Sequence, residues 1–401
     1  MRARGWMVAV VACALAVPTS TATAVTSTDE TTSGRVVASA PVPGRNGIDS
    51  VVTADGRKLV VLSGNRLTQY ALGERTIRPL GSTVVAPMRK GTDFQLAVHP
   101  GGRAAYVVWH RFSNDSPRDF GDVVRVYDLT VRAPRYARTV ALRRLLPQQP
   151  DAAEVAAITV SPDGRRLVVL GGDGGGHERL LVLDVRRPGT PASGAVVNTE
   201  ARPYLTSMSV TPDSSRLLIN SDPRLYSYRL PRTAAPVLEA SPSIEMPGGD
   251  WRGDPYLGTN IVGVTALGDG TAYIGMKGET DQDDWAEQVS TVMHVRVSDG
   301  AVLSHTDVRG PEEGWAPGAL LGAVSNNGRR VYATWGWLNV ETPRPRSLVW
   351  YDADLATRHD GPALGWVRDV VVSPGGPTRG LVYVVSLRSG GHLRVSAVDL
   401  R

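Results

Sequence analysis

Residues 158–185 read ITVSPDGRRLVVLGGDGGGHERLLVLDV. Ile158 to Val160 is a short β-branched run that stops at Ser161-Pro162-Asp163-Gly164. Proline fixes one backbone angle there, aspartate can bond its own backbone, and glycine accepts the positive φ of a tight turn. The chain therefore reverses. Leu167 to Leu170 and Leu180 to Leu183 are near-continuous apolar runs, too short for helices, which suits strands covered on both faces. Asp184 ends the third run with a carboxylate placed to cap the next turn. A sheet buried on both faces needs a neighbour on each side, and repetition supplies them.

The same turn recurs as Thr53-Ala54-Asp55-Gly56, His99-Pro100-Gly101-Gly102, Thr211-Pro212-Asp213-Ser214, Leu267-Gly268-Asp269-Gly270, Ser325-Asn326-Asn327-Gly328 and Ser373-Pro374-Gly375-Gly376. With the first, that makes seven copies, and successive last residues are 46, 62, 50, 56, 58 and 48 apart, too even for unrelated hairpins. Each turn lies between two apolar runs, and a third run follows, as in Val123 to Leu129, Leu225 to Leu230, Leu348 to Asp352 and Leu393 to Leu400. Asp128, Asp184, Asp352 and Asp399 close several of these. Weak fourth runs, Ala195 to Thr199 and Ala301 to His305, fit outer edge strands. Four antiparallel strands in about 54 residues, repeated through the chain, predict an all-β, seven-bladed β-propeller.

The better copies, with S/T-P-D-G followed by basic residues and an apolar run, resemble the WD40-like repeats of TolB-type propellers and the YVTN-type repeats of secreted bacterial propellers. The resemblance covers residues 35–401 and implies the fold, while such repeats serve scaffolds, binding modules and enzymes alike. The WD dipeptide is absent, so ordinary WD40 scaffolding is not implied. The sequence stops two residues after Asp399, which leaves the seventh blade without an outer strand, and Arg35 to Val42 (RVVASAPV) has strand character but no hairpin of its own. It is expected to supply that edge and close the ring.

Arg2 and Arg4, the apolar run Met7 to Val17 and Ala22-Thr23-Ala24 have the layout of a secretory signal peptide, with cleavage expected after Ala24. Residues 1–24 are then the signal, 25–34 a disordered Thr/Ser-rich leader and 35–401 a single domain. The run of about 11 apolar residues falls short of the roughly 20 that span a bilayer, so no transmembrane segment is expected after processing. Val10-Val11-Ala12-Cys13 resembles a lipobox, but the apolar run continues past Cys13, so free secretion is expected over lipid anchoring. Loss of Arg2 and Arg4 takes the net charge from +5 to +3, and the basic residues are scattered, which argues against a nucleic-acid partner. Cys13 is the only cysteine, so the processed chain has no disulfide and no thiol chemistry. A monomer is expected.

Chemistry is expected where loops lead into the innermost strands. Those segments offer Arg45 and Asp49, Lys90 and Asp93, Asp151 and Glu154, Arg202 and Tyr204, Trp251 to Tyr256, Glu312 to Trp315, and Trp366 to Asp369. Both charge signs converge, suiting a polar ligand, a divalent ion, or salt bridges between blades. Asp281, Asp283, Asp284 and Glu287 could ligate Ca²⁺, although the spacing lacks the central glycine of an EF-hand and equally fits a solvated acidic loop. Gly171 to Gly176 lacks the lysine and helix of a phosphate-binding loop. Seven of the nine tryptophans lie at or after residue 251, and rings in loops can stack on sugars or hold a cation. The ligand-binding candidates are therefore Trp251, Arg252, Asp254, Tyr256, Trp285, Trp315, Trp366 and Arg368. Arg252-Gly253-Asp254 matches an integrin-type tripeptide that chance explains. His99 fills a turn position that is Ser or Thr in most sister repeats and is expected to cap; His110, His177 and His359 are the histidines expected to reach a channel mouth.

Neither a serine-hydrolase elbow nor a zinc H-E-x-x-H motif is present. The leading expectation is a secreted, noncatalytic propeller that binds an extracellular ligand or protein through its tryptophan-rich face. The alternative is a metal-dependent lactonase, lyase or hydrolase using channel carboxylates. Convergence of three or more of Asp49, Asp93, Glu154, Asp254, Asn260, Glu313 and Asp369 would favour the enzyme.

Overall fold

The repeated turn is built from side chains as well as glycine. Thr53 Oγ1 donates to Asp55 Oδ1 (2.6 Å), which also accepts the Arg57 amide (3.0 Å), while the Lys58 amide donates to Thr53 Oγ1 (3.2 Å). Ser161, Asp163, Arg165 and Arg166 repeat these bonds at 2.5, 3.0 and 3.0 Å, and Thr211, Asp213, Ser215 and Arg216 at 2.6, 3.0 and 3.0 Å. The hydroxyl and carboxylate satisfy the backbone amides that a reversal leaves unpaired. Each turn thus ends one strand and starts the next.

The structure is a computed structural model that describes residues 34–44, 48–85, 92–111, 123–142, 154–172, 179–186, 192–201, 207–221, 224–232, 235–244, 260–279, 288–307, 318–325, 328–336, 348–388 and 390–400, some strand residues by backbone only. The first strand, β1 (Arg35–Val42), stands apart from the hairpins. Blade 1 follows as β2 (Ile48–Val52), β3 (Lys58–Ser63), β4 (Arg66–Gly73) and β5 (Thr76–Val84), and blade 2 as β6 (Thr92–Val98), β7 (Ala104–Arg111), β8 (Val123–Asp128) and β9 (Arg135–Ala141). Blade 3 is β10 (Glu154–Val160), β11 (Arg166–Gly172), β12 (Arg179–Asp184) and β13 (Ala192–Asn198); blade 4 is β14 (Ser207–Val210), β15 (Arg216–Ser221), β16 (Arg224–Arg229) and β17 (Val237–Ala240). Blade 5 is β18 (Asn260–Ala266), β19 (Thr271–Glu279), β20 (Gln288–Arg296) and β21 (Val302–Asp307); blade 6 is β22 (Gly318–Val324), β23 (Arg330–Gly336), β24 (Leu348–Asp352) and β25 (Arg358–Asp360). Blade 7 is β26 (Trp366–Val372), β27 (Val382–Leu387) and β28 (Leu393–Asp399), completed at its edge by β1.

Every blade is a four-stranded antiparallel sheet. The innermost strands β2, β6, β10, β14, β18, β22 and β26 each pack on the next, and β26 packs on β2, so they form a closed ring. The opening stretch of sequence is β10, β11 and β12 in order, as its pattern predicts. β1 runs antiparallel to β28 from Arg35 opposite Asp399 to Val42 opposite Leu393, which is the expected closure by an N-terminal strand.

Burial explains why single blades would not hold. The apolar residues form seven clusters, each shared by two neighbouring blades: Val60, Leu62 and Leu96 between blades 1 and 2, for example, or Tyr332, Trp350 and Val384 between blades 6 and 7. A fully buried Leu or Val stabilises by about 1.5–3 kcal/mol, so the interfaces carry the fold. Polar fasteners cross the same interfaces. Lys58 Nζ donates to Leu129 O (2.8 Å), Arg166 Nη1 to Leu230 O (2.5 Å) and Arg330 Nη1 to Leu400 O (2.9 Å), each tying a second strand to the end of the next blade's third strand. In the other direction, third-strand tyrosines reach back. Tyr70 Oη donates to Pro41 O (2.8 Å), Tyr127 Oη to Val85 O (3.0 Å) and Tyr228 Oη to Thr199 Oγ1 (2.7 Å).

Candidate functional site

Two acids stand on the innermost strands β2 and β26, where blades 1 and 7 meet. Asp369 on β26 accepts the Ser50 hydroxyl of β2 at Oδ2 (2.6 Å) and the Val370 amide at Oδ1 (2.8 Å). Asp49, also on β2, accepts the Leu96 amide of β6 at 2.7 Å. Both acids stand four residues before the first residue of their turns, Ser373 and Thr53. The residue at the same place in blade 4 is Ser207, whose Oγ accepts the Val264 amide of β18 at 3.0 Å. Leu96, Ser50 and Val264 in turn each stand three residues before their own turns. One rule covers all three: the residue four before the turn reaches the residue three before the turn of the next blade.

Placing carboxylates in that role raises their pKa. Burial pushes Asp49 up to about 7, with the negative charge of Asp369 adding to it, and burial pushes Asp369 up to about 6. Part of each residue's surface stays open, but protein crowds the carboxyl groups themselves, and it is the carboxyl that titrates. Hydrogen bonds from Leu96, Ser50 and Val370 favour the charged forms without overcoming desolvation. Asp369 ionises first, and its charge then holds the proton on Asp49.

Beside this pair, Trp366 and Arg368 are brought together at the start of β26. The Arg368 guanidinium carbon lies 3.8 Å from the Trp366 ring centroid, within cation–π range, and burial pushes the Arg368 pKa down. Register places Val367 opposite Ser386 and Asp369 opposite Val385, so Arg368 is the extra residue of a β-bulge. Bulges re-aim side chains at sheet edges and near sites. Both residues are partly exposed.

The other ligand-binding candidates, Trp251, Arg252, Asp254, Tyr256, Trp285 and Trp315, lie outside the described residues, as do Asp281, Asp283, Asp284 and Glu287, residues 1–33 and His177. Of the seven residues proposed to converge, only Asp49 and Asp369 have described side chains. Among the described residues no group of three or more His, Cys, Asp or Glu stands close enough to hold a metal ion. Also among them, no helix is long and apolar enough to cross a membrane.

His99 caps as expected: its Nδ1 accepts the Gly101 amide at 3.0 Å. His359 needs correction, because it sits on outermost β25, stacked 3.6 Å from the Trp350 ring and away from the innermost strands. Trp350 itself fills the wedge between blades 6 and 7 beneath Arg330. What sequence reading misses is the role of Ser50 and of the Leu96 amide. Counting four residues back from each turn would have marked the acids and Ser207 as a set.

These features define the chain as a seven-bladed β-propeller with side-chain fasteners between its innermost strands. Its structure is similar to the N-terminal domain of Nup159, with a TM-score of 0.52 and 13% sequence identity over 91% of this chain and 95% of that one, a likeness of fold alone. A functionally unknown protein from Desulfotomaculum acetoxidans DSM 771 aligns at a TM-score of 0.45 and 13% identity, over 84% of this chain and 88% of that one. No family model and no curated protein matches the sequence.

Proposed function

We propose that this is an exported, noncatalytic propeller that binds a polar ligand or a protein partner at the mouth formed by the segments leading into the innermost strands. The observation that carries this reading is the commitment of Asp49 and Asp369. Both are bonded to the neighbouring blade by the same rule as Ser207, a residue with no acid–base chemistry of its own there. They fasten blades. Trp366 and Arg368, partly exposed on a bulge beside them, offer a flat ring and a cation to a ligand. Segments 112–122, 280–287 and 337–347, between second and third strands, are long where blades 1 and 4 use two residues, and connections that vary in length on a rigid frame commonly carry binding. Kinship with TolB-type and YVTN-type repeats fits this reading, resting on the seven sister turns.

Glycan-array and pull-down screening with the wild type, Trp366→Ala, Arg368→Ala and Trp251→Ala tests the mouth. Loss of a captured ligand in the variants, with unchanged melting, is the expected result; capture that survives all three places binding elsewhere. A melt with EDTA and with added Ca²⁺ tests the enzyme alternative, and a metal-dependent shift would favour it. Export is checked by sequencing the N-terminus of protein recovered from culture medium, where an intact Met1 would count against signal cleavage.

A further inference from the structure

We propose that Asp49, Ser50 and Asp369 form a proton-operated clasp at the seam of the ring, tight while the carboxyl pair holds a proton and loosened when both acids ionise. The seam is where blades 7 and 1 meet, and it has two stitches. At the rim, β1 pairs with β28; at the hub, Ser50 of β2 bonds Asp369 of β26. The fastening position is acidic in blades 7 and 1 and nowhere else, the remaining residues being Gln95, Ala157, Ser207, Gly263 and Leu321. Acids therefore hold the fastening position on two adjacent innermost strands only at the seam.

Among the described residues, no cation is a cause that shifts either acid. Opposite the acids on the second strands are Leu62 and Val385. On β26 the nearby cation, Arg368, lies over Trp366, and it is not among the causes that shift either acid. On β6 the titratable residue is Asp93, a third acid. The groups that do face the pair are neutral donors, the Ser50 hydroxyl and the Leu96 and Val370 amides. When both acids ionise, the charges of β2 and β26 repel across the joint that Ser50 bridges. Desolvation, which holds both acids above the ordinary carboxylate range, and the charge of Asp369, which raises Asp49 further, set the working window between mild acid and mild base.

Hydrogen exchange, corrected for intrinsic rates and measured at about pH 5 and about pH 9, on either side of the acids' range, tests the clasp. In the wild type, protection of the β1, β2, β26 and β28 amides should fall at the higher pH, while the Val264 amide, fastened by Ser207, keeps its protection. Asp49→Asn and Asp369→Asn keep an acceptor oxygen but remove the titration, and the difference between the two pH values should vanish in both. Equal protection of the wild-type seam at both pH values would overturn the proposal, as would the same loss in the asparagine variants. If the variants fail to fold, the wild-type contrast between seam amides and Val264 still decides.

Discussion

Gly56 and Gly270 occupy the same place in sister turns, both at positive φ (65° and 85°), yet they answer to different constraints. A Cβ on Gly56 would stand 1.9 Å from the Gly375 carbonyl oxygen of blade 7, whereas one on Gly270 meets nothing within 4 Å. Gly270→Ala should therefore cost only the backbone term, about 1 kcal/mol. Gly56→Ala must also push two blades apart and should cost about 3 kcal/mol or more, a difference read from urea midpoints. Equal losses would show that the turns do not abut. Ser214 shows the compromise a non-glycine makes at this place: it holds φ at 62°, and its hydroxyl accepts the Asp163 amide of the preceding blade at 3.0 Å. Asn220 is a departure of another kind. It is 1% exposed with neither amide atom hydrogen-bonded, and the residues in register with it on the other second strands are Leu62, Val108, Leu170, Gly275, Ala333 and Val385. Asn220→Val should stabilise by about 1–2 kcal/mol, since the unpaired amide is lost and a strand former gained. A lower midpoint would mean the amide has a partner in solution.

Among elements, Arg165 and Arg166 are neighbours that sequence alone cannot tell apart. The Arg165 side chain is 52% exposed beside Asp163, while Arg166 is 10% exposed and bonds the carbonyls of Leu230 and Ser214 in the next blade. Arg166→Met strands two buried carbonyls and should cost about 2–3 kcal/mol; Arg165→Met should stay within about 0.5 kcal/mol. The same contrast explains how much was legible. Strand, turn and strand follow from residues within ten of one another, so blade number, hairpins and third strands could be read directly. The fasteners join residues far apart, 47 for Leu96 and Asp49, 57 for Val264 and Ser207, 319 for Ser50 and Asp369, with a backbone group as partner in the first two. A backbone amide leaves no signature in residue type. Asp49 and Asp369 thus looked like channel chemistry, Trp366 and Arg368 could be named but not paired, and His359 was assigned to the wrong edge of its blade.

Across the whole molecule, two families of carboxylates pull stability in opposite directions with pH. Hydrogen bonds from Thr211 and Ser215 hold Asp213 down at about 2, so its contribution is fully present above the ordinary carboxylate pKa and is lost as pH falls from there through about 2. Asp49 and Asp369 are raised, so theirs is fully present below the unfolded value and is lost as pH rises through about 6 and 7. Melting temperature should therefore peak in mild acid and fall on both sides. Removing Asp49 as Asn should flatten the limb between mild acid and neutrality and leave the acid limb in place. Ring closure sets the size of any such response, because every blade leans on two others and an open ring exposes two apolar faces. β1 pairs with β28 along its length, buries Ala40 and Val42 in the cluster between blades 7 and 1, and gives its Pro41 carbonyl to Tyr70. Deleting residues 33–44 should lower the melting temperature sharply, and a synthetic RVVASAPV peptide added in excess should restore part of it by pairing with β28. An unchanged melt would mean that the other six joints hold the ring alone. A lowered melt with no rescue would mean that β1 acts as a covalent tether and that its ladder contributes little.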